Sequence, residues 1–245
     1  MKVLLFDIET GANEKAKSFV KPFDPDNPDH VKYGNAKNPE LRADIVKQAM
    51  AIYYSTAEKL YALSPITGRV LLISYCLIED NGEPKVWYSC IQPGTEERDL
   101  LVEFWNLVGD VSMDGGLLIG FNNKNFDIPF VVQRSWIHEV PTYPLMDGRW
   151  YRNWIIDLYE VWMLGSKSNV FKYVSNSLKS VSECLGIGTK NDDGKNFEKI
   201  FIKDRDKAVE YALNDIQLTY RMYDRIKDFI RIKETYSSGK STDEL

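Results

Sequence analysis

The segment Val3-Leu4-Leu5-Phe6-Asp7-Ile8-Glu9 constrains this chain most: it is apolar enough for a strand buried between layers, yet it carries two acids. A strand presents alternate residues to opposite faces, so Asp7 and Glu9, two apart, share one face. Two carboxylates side by side on a buried strand repel each other and lose hydration unless a cation neutralises them. From this segment alone, the alternative is that the strand has ended and both acids are solvated. The expected strand is Lys2–Ile8, bounded by Gly11.

The rest of the pattern reads as a mixed α/β chain. Residues 12–38 carry Pro22, Pro25 and Pro28 among turn formers, an irregular excursion. Asn38 as cap and Pro39 at the first helical position open a helix to about Leu63, stopped by Ser64-Pro65. Val70–Ile78 and Lys85–Ile91 predict two strands joined at Asp80-Asn81-Gly82, a hairpin signal. A helix follows over Thr95–Val108 with Thr95 as cap, then a short buried strand Leu117–Phe121, a helix over 127–138 and a strand Trp154–Leu158. Helices are expected from Ser175 or Asn176 to Leu185, stopped by Gly186, and from Asp204 to about Ile232, with a frayed polar tail after Ser237. One domain over residues 1–235, with an insertion at about 12–66 and a flexible tail over 236–245, is the simplest parse. It implies about five strands flanked by helices.

Two further acids stand where strands and helices meet. Asp127 lies just past an apolar strand, where ligand sites of open sheets gather, although for this residue alone an ordinary helix N-cap before Pro129 is the stronger reading. Asp215 shares a face of the last helix with Tyr211, beside Ala208, Ala212 and Leu218. No Lys or Arg occupies 211, 212, 218 or 219, so a metal is a candidate partner; a place at the edge of the apolar stripe is the alternative.

Composition narrows the field. The apolar run before Asp7 is far too short for a signal peptide, and no stretch reaches the roughly 18–20 apolar residues of a membrane span. Three dispersed cysteines and two histidines, without CxxC or HxxH, exclude a zinc site and fit reduced thiols in a cytoplasmic protein. The net charge of −5 argues against tight duplex binding, yet much of it is accounted for by the four acids above.

Taken in order, Asp7-Ile8-Glu9-Thr10, Asn122 with Phe126-Asp127, and Tyr211 with Asp215 (YxxxD) resemble the DnaQ-like, or DEDD, exonuclease superfamily. The variant it looks like is the tyrosine one, as in proofreading domains of family B DNA polymerases; the histidine variant would place His at Glu210. Ser177-Leu178-Lys179-Ser180-Val181, Leu185-Gly186-Ile187 with Lys190, and Ile156-Asp157-Leu158 are similar to further stretches of that family. Pro22-Phe23, Lys32-Tyr33-Gly34-Asn35 and Asn38-Pro39-Glu40 resemble an insertion of bacteriophage exonucleases, which places the chain in a bacterial or phage-infected cell.

The resemblance implies a ribonuclease H-like fold and 3′→5′ removal of nucleotides from single-stranded DNA. Cleavage of RNA and a non-catalytic replisome adaptor are the alternatives. It implies two Mg²⁺ or Mn²⁺ ions roughly 4 Å apart, with Asp7 shared, Glu9 and Asp215 completing one ion's ligands and Asp127 holding the other. Tyr211 would orient the attacking water or help deprotonate it. Thr10, Asn122 and Phe126 are candidates to contact the terminal nucleotide, and Lys124 to meet a phosphate; core packing of Phe126 and an exposed loop position for Lys124 are the alternatives. No polymerase domain is expected within the chain, so the protein is expected either to be free-standing or to work beside a separate polymerase or replication protein.

Overall fold

The computed structural model describes residues 1–80, 82–165, 174–190 and 197–230. Three consecutive strands, β1 (Lys2–Ala12), β2 (Gly68–Glu79) and β3 (Lys85–Cys90), pair antiparallel. Two later ones, β4 (Leu117–Gly120) and the short strand Ile155–Asp157, run parallel to β1 and to each other. The sheet order is β3-β2-β1-β4 and then the Ile155–Asp157 strand, the five-stranded mixed sheet of a ribonuclease H-like fold.

Helices cover both faces, which is why the central strands are apolar along nearly their whole length. Leu4, Phe6 and Ile8 point to one side, against Phe104, Trp105 and Val108 of α2 (Glu97–Met113) and Phe130 and Val131 of α3 (Asp127–Ile137). Phe6 and Phe104 pack with ring centroids 5.0 Å apart. Val3 and Leu5 point to the other side, against Ile216 and Met222 of a long helix, Arg205–Ile226. Asp7 and Glu9 therefore continue the row begun by Val3 and Leu5, beneath that helix. Ala208 and Ala212, both fully buried, let its first half lie close to the sheet.

β1 extends beyond the expected end because β2 continues to pair with it, Ala12 lying opposite Gly68. Both acids thus sit inside a paired strand and not at a frayed end. The register slips between Glu9 and Thr10: Glu9 faces Leu72 and Thr10 faces Val70, leaving Leu71 as an extra residue in β2.

The insertion leaves and rejoins the sheet through a narrow neck, where Asn13 N–H donates to Thr67 O (2.8 Å) and Asn13 Nδ2 to Ile66 O (2.8 Å). Its helix α1 (Pro39–Leu60) starts as expected, with Asn38 accepting from Glu40 N–H at 2.8 Å, and buries no residue. The neck is braced by a buried network. Glu97 accepts from Arg134 Nε (2.8 Å), Arg134 Nη2 (2.6 Å) and Val70 N–H (2.8 Å), while Arg134 Nη1 donates to Pro65 O (2.9 Å).

Local expectations shift in places. Glu96, not Thr95, caps α2, in a reciprocal box with Asp99. A two-strand ribbon, β5 (Met146–Asp147) and β6 (Trp150–Tyr151), precedes the last sheet strand, here β7, and a short helix α4 (Leu158–Met163) follows it. Helix α5 (Leu178–Leu185) is capped by Ser177 and closed by Gly186 at φ +64°. Helix α6 (Phe197–Lys203), absent from the sequence expectation, precedes the long helix, α7. Asn81 of the expected hairpin turn and the expected tail after Ser237 lie outside the described residues. Among those described, no helix is long and apolar enough to cross a membrane.

Candidate active site

The sheet brings Asp7 and Glu9 of β1 against Asp215 of α7, with one carboxylate oxygen from each within 4.8 Å of the others. They floor a cavity of about 810 Å³ that Asn122, Phe126, Asp127 and Tyr211 also line. Burial raises the carboxyls of Asp7 and Glu9 well above the ordinary range, and neighbouring acids add to it: Asp127 and Asp215 for Asp7, Asp7 first for Glu9. Asp215 is raised too, chiefly by burial, with Lys190 opposing. Its Oδ1 is buried without a hydrogen-bond partner.

Asp127 approaches differently. It is the first residue of α3, with Phe126 at the cap position, and its Oδ1 accepts from Ile8 N–H at 3.0 Å. This bond ties the start of α3 to the strand segment between the two β1 acids. Burial pushes its carboxyl up to about 7, with the Ile8 N–H opposing.

The segment between β4 and α3 is shaped by a residue that the local pattern did not single out. Asp157, almost fully buried at the end of β7, accepts from the N–H groups of Asn122 (2.7 Å), Lys124 (3.1 Å) and Tyr159 (2.9 Å). Asn122 takes the left-handed conformation, φ +62°, which Asn tolerates better than most residues. Gly120 is required here, since a Cβ would come within 2.7 Å of Asn123 Cβ. Asp157→Ala strands three backbone donors and is expected to cost about 2–3 kcal/mol in urea unfolding; a loss below ~0.5 kcal/mol would mean that water replaces the carboxylate without penalty.

Two expected contact residues do not line the cavity. Thr10 Oγ1 donates to Ala62 O (2.7 Å), fastening β1 to the insertion's exit. Lys124 Nζ donates to Glu160 (2.8 Å), which uses its charge on α4. Conversely, Asp215 does have a cationic partner: Lys190, whose ammonium bonds to Asp215 Oδ2 and lies 4.8 Å from the Tyr211 ring centroid. An inventory of α7 alone misses it because Lys190 precedes the helix by many residues. Both residues stand in stretches that resemble the exonuclease family, Lys190 after Gly186 and Asp157 in Ile156-Asp157-Leu158, but their roles here follow only from the fold.

Residues 63–237 match the model of a family described as predicted 3′-5′ exonucleases related to the exonuclease domain of PolB. The chain belongs to this exonuclease family. The matched stretch contains Asp127, Tyr211 and Asp215, while Asp7 and Glu9 precede it and are brought to them by the sheet. The fold is similar to that of the family B DNA polymerase from the hyperthermophilic archaeon Pyrobaculum calidifontis, with a TM-score of 0.56 and 15% identity over 94% of this chain and 25% of that one. The chain thus spans about a quarter of that polymerase, and the likeness is one of fold. No curated protein matches the sequence.

Proposed function

We propose that this exonuclease family member is a two-metal-ion enzyme of the tyrosine-variant DEDD type, releasing nucleotides from the 3′ end of single-stranded DNA. The observation that carries the reading is the Asp7, Glu9 and Asp215 cluster, with an Asp215 oxygen buried and unpartnered. Acids whose charged forms are this disfavoured fit a site completed by cations. Their oxygen ligands suit Mg²⁺ or Mn²⁺. Asp7, Glu9 and Asp215 would hold one ion and Asp7 with Asp127 the other. Such ions, when bound, activate water and stabilise charge on the leaving 3′ oxygen.

The chain's own residues do the positioning. Burial first, then Asp215, raises the Tyr211 phenol above its ordinary range, so it stays protonated near neutrality. In the metal-free chain Tyr211 is thus a hydrogen-bond donor, placed to orient the attacking water or the phosphate. Tyr211→Phe is expected to lower kcat on the order of 10²-fold while leaving Mn²⁺ affinity unchanged; lost metal affinity would make its role structural. Asn122 offers an amide, and Phe126 with Phe121 and Tyr159 an aromatic rim for unpaired bases.

A 3′ end trimmed here is the end that a polymerase extends, which supports a separate polymerase or replication protein as partner. The insertion motifs support a bacteriophage origin, and buried unpaired Cys76 and Cys90 suit a reducing cytoplasm. The narrow neck supports one exonuclease domain over residues 1–235, interrupted by the insertion.

The test is digestion of 5′-labelled single-stranded DNA with Mg²⁺ or Mn²⁺, beside EDTA and a matched RNA. A ladder shortening from the 3′ end only with metal is expected, with DNA preferred. Preference for RNA would change the substrate, and no cleavage of either strand would leave the adaptor reading.

A further inference from the structure

A second cavity, about 280 Å³, is lined by Arg69, Leu71, Ile91, Glu198, Phe201 and Arg205, with Ile202 at its rim. Its floor is the face of the sheet that carries the acids, and the register slip puts it there. In regular alternation with Leu72 and Val70, Arg69 would turn to the opposite face. With Leu71 as the extra residue, both Leu71 and Leu72 pack on the α6–α7 side, Val70 packs on the other, and Arg69 faces Gly11 on the side of Asp7 and Glu9. Gly11 is two residues past Glu9, so Arg69 stands one strand over and roughly 7 Å further along.

Two guanidiniums converge on this cavity. Arg69 Nε is buried without a hydrogen-bond partner, an arrangement that costs free energy unless an acceptor is supplied. Arg205 lies with its guanidinium carbon 4.7 Å from the Phe201 ring centroid, which orients it. Among the described residues neither has a carboxylate within ion-pair distance, Glu198 included. A planar fork of donors is the side chain that takes phosphate oxygens in pairs.

We propose that Arg69 and Arg205 form a phosphate-binding subsite beside the acids, which holds a phosphate of the nucleic-acid strand next to the scissile link. This rests on the exonuclease reading above. The same chemistry would accept the phosphate of a released mononucleotide, and the two sources separate experimentally.

Arg69→Gln and Arg205→Gln are compared with the wild type in two measurements. In EDTA, where nothing is cleaved, calorimetric titration uses inorganic phosphate, a 5′-mononucleotide and a ten-nucleotide single-stranded DNA. With Mn²⁺, KM and kcat are measured on the same DNA and on a dinucleotide. The expected result is about tenfold weaker DNA binding and a tenfold higher KM for the long strand, with kcat and the dinucleotide KM unchanged. The salt slope of DNA binding should also fall by about 0.7 for each arginine removed. Weakened mononucleotide and phosphate binding, with DNA binding and KM unaltered, would assign the subsite to product. Wild-type values for every ligand in both variants would overturn it. A wild type that cleaves nothing counts against the exonuclease reading alone, because the EDTA titration still judges the subsite. If Arg69→Gln does not fold, Arg205→Gln, at the start of α7, gives the same readout.

Discussion

Asp7→Ala is expected to abolish nucleotide release, by on the order of 10³-fold or more, and at the same time to raise the melting temperature measured in EDTA. Both effects have one cause. Asp7 stands between Glu9, Asp127 and Asp215, its charged form opposed first by burial and then by its neighbours. Removing it relieves the cluster, and the folded chain without metal should gain roughly 0.5–2 kcal/mol, or a few degrees. Metal reverses the order. A ligand present at a hundred times its Kd adds about 2.7 kcal/mol to the form that binds it, so the wild type should melt above the variant in Mn²⁺ and below it in EDTA. Activity within tenfold of the wild type would sink the assignment of Asp7 to the metals. Melting curves that keep the same order under both conditions would show that repulsion among these acids is not what the cations relieve.

The largest loss of stability is expected at Arg134→Met, well away from the cavity. Its guanidinium makes two hydrogen bonds to Glu97 and one to Pro65 O, and both charged side chains are almost fully buried. Removing Arg134 leaves the buried Glu97 carboxylate with Val70 N–H and His138 Nε2, 2.9 Å away, in place of a guanidinium, which costs about 3–5 kcal/mol. For a chain of this length that corresponds to roughly 6–20 °C. The double variant Glu97→Gln with Arg134→Met should be less damaged than Arg134→Met alone, since the amide introduced by Glu97→Gln still accepts from Val70 N–H and carries no charge. Equal or greater loss in the double variant would mean that the cost comes from packing and not from a stranded charge.

The β1 acids were legible in the sequence because a period of two needs nothing beyond the strand itself. The Tyr211–Asp215 face was legible for the same reason at helical spacing. What the pattern missed came from pairing and from distant partners. β1 runs on to Ala12 because β2 is there to receive it, and the slip that turns Arg69 toward the acids exists only in the paired register. Lys190 reaches Asp215 from outside the helix, and Asp157 organises a segment that lies far from it in sequence. Thr10 and Lys124 stand beside the motif acids, yet Ala62 O and Glu160 take their polar atoms. Residue type marked where chemistry could occur; which groups were already engaged depended on the fold.

The neck at Asn13 and Thr67 makes the insertion interchangeable. Its two ends already sit side by side on antiparallel strands, so what joins them is free to vary in length. Doubling such a connection adds only about 0.6 kcal/mol of closure entropy, and α1 buries nothing that the sheet would miss. Relatives of this chain can therefore trade the segment between Asn13 and Tyr61 for a short turn, or for a different module, without re-registering the strands that carry Asp7 and Glu9.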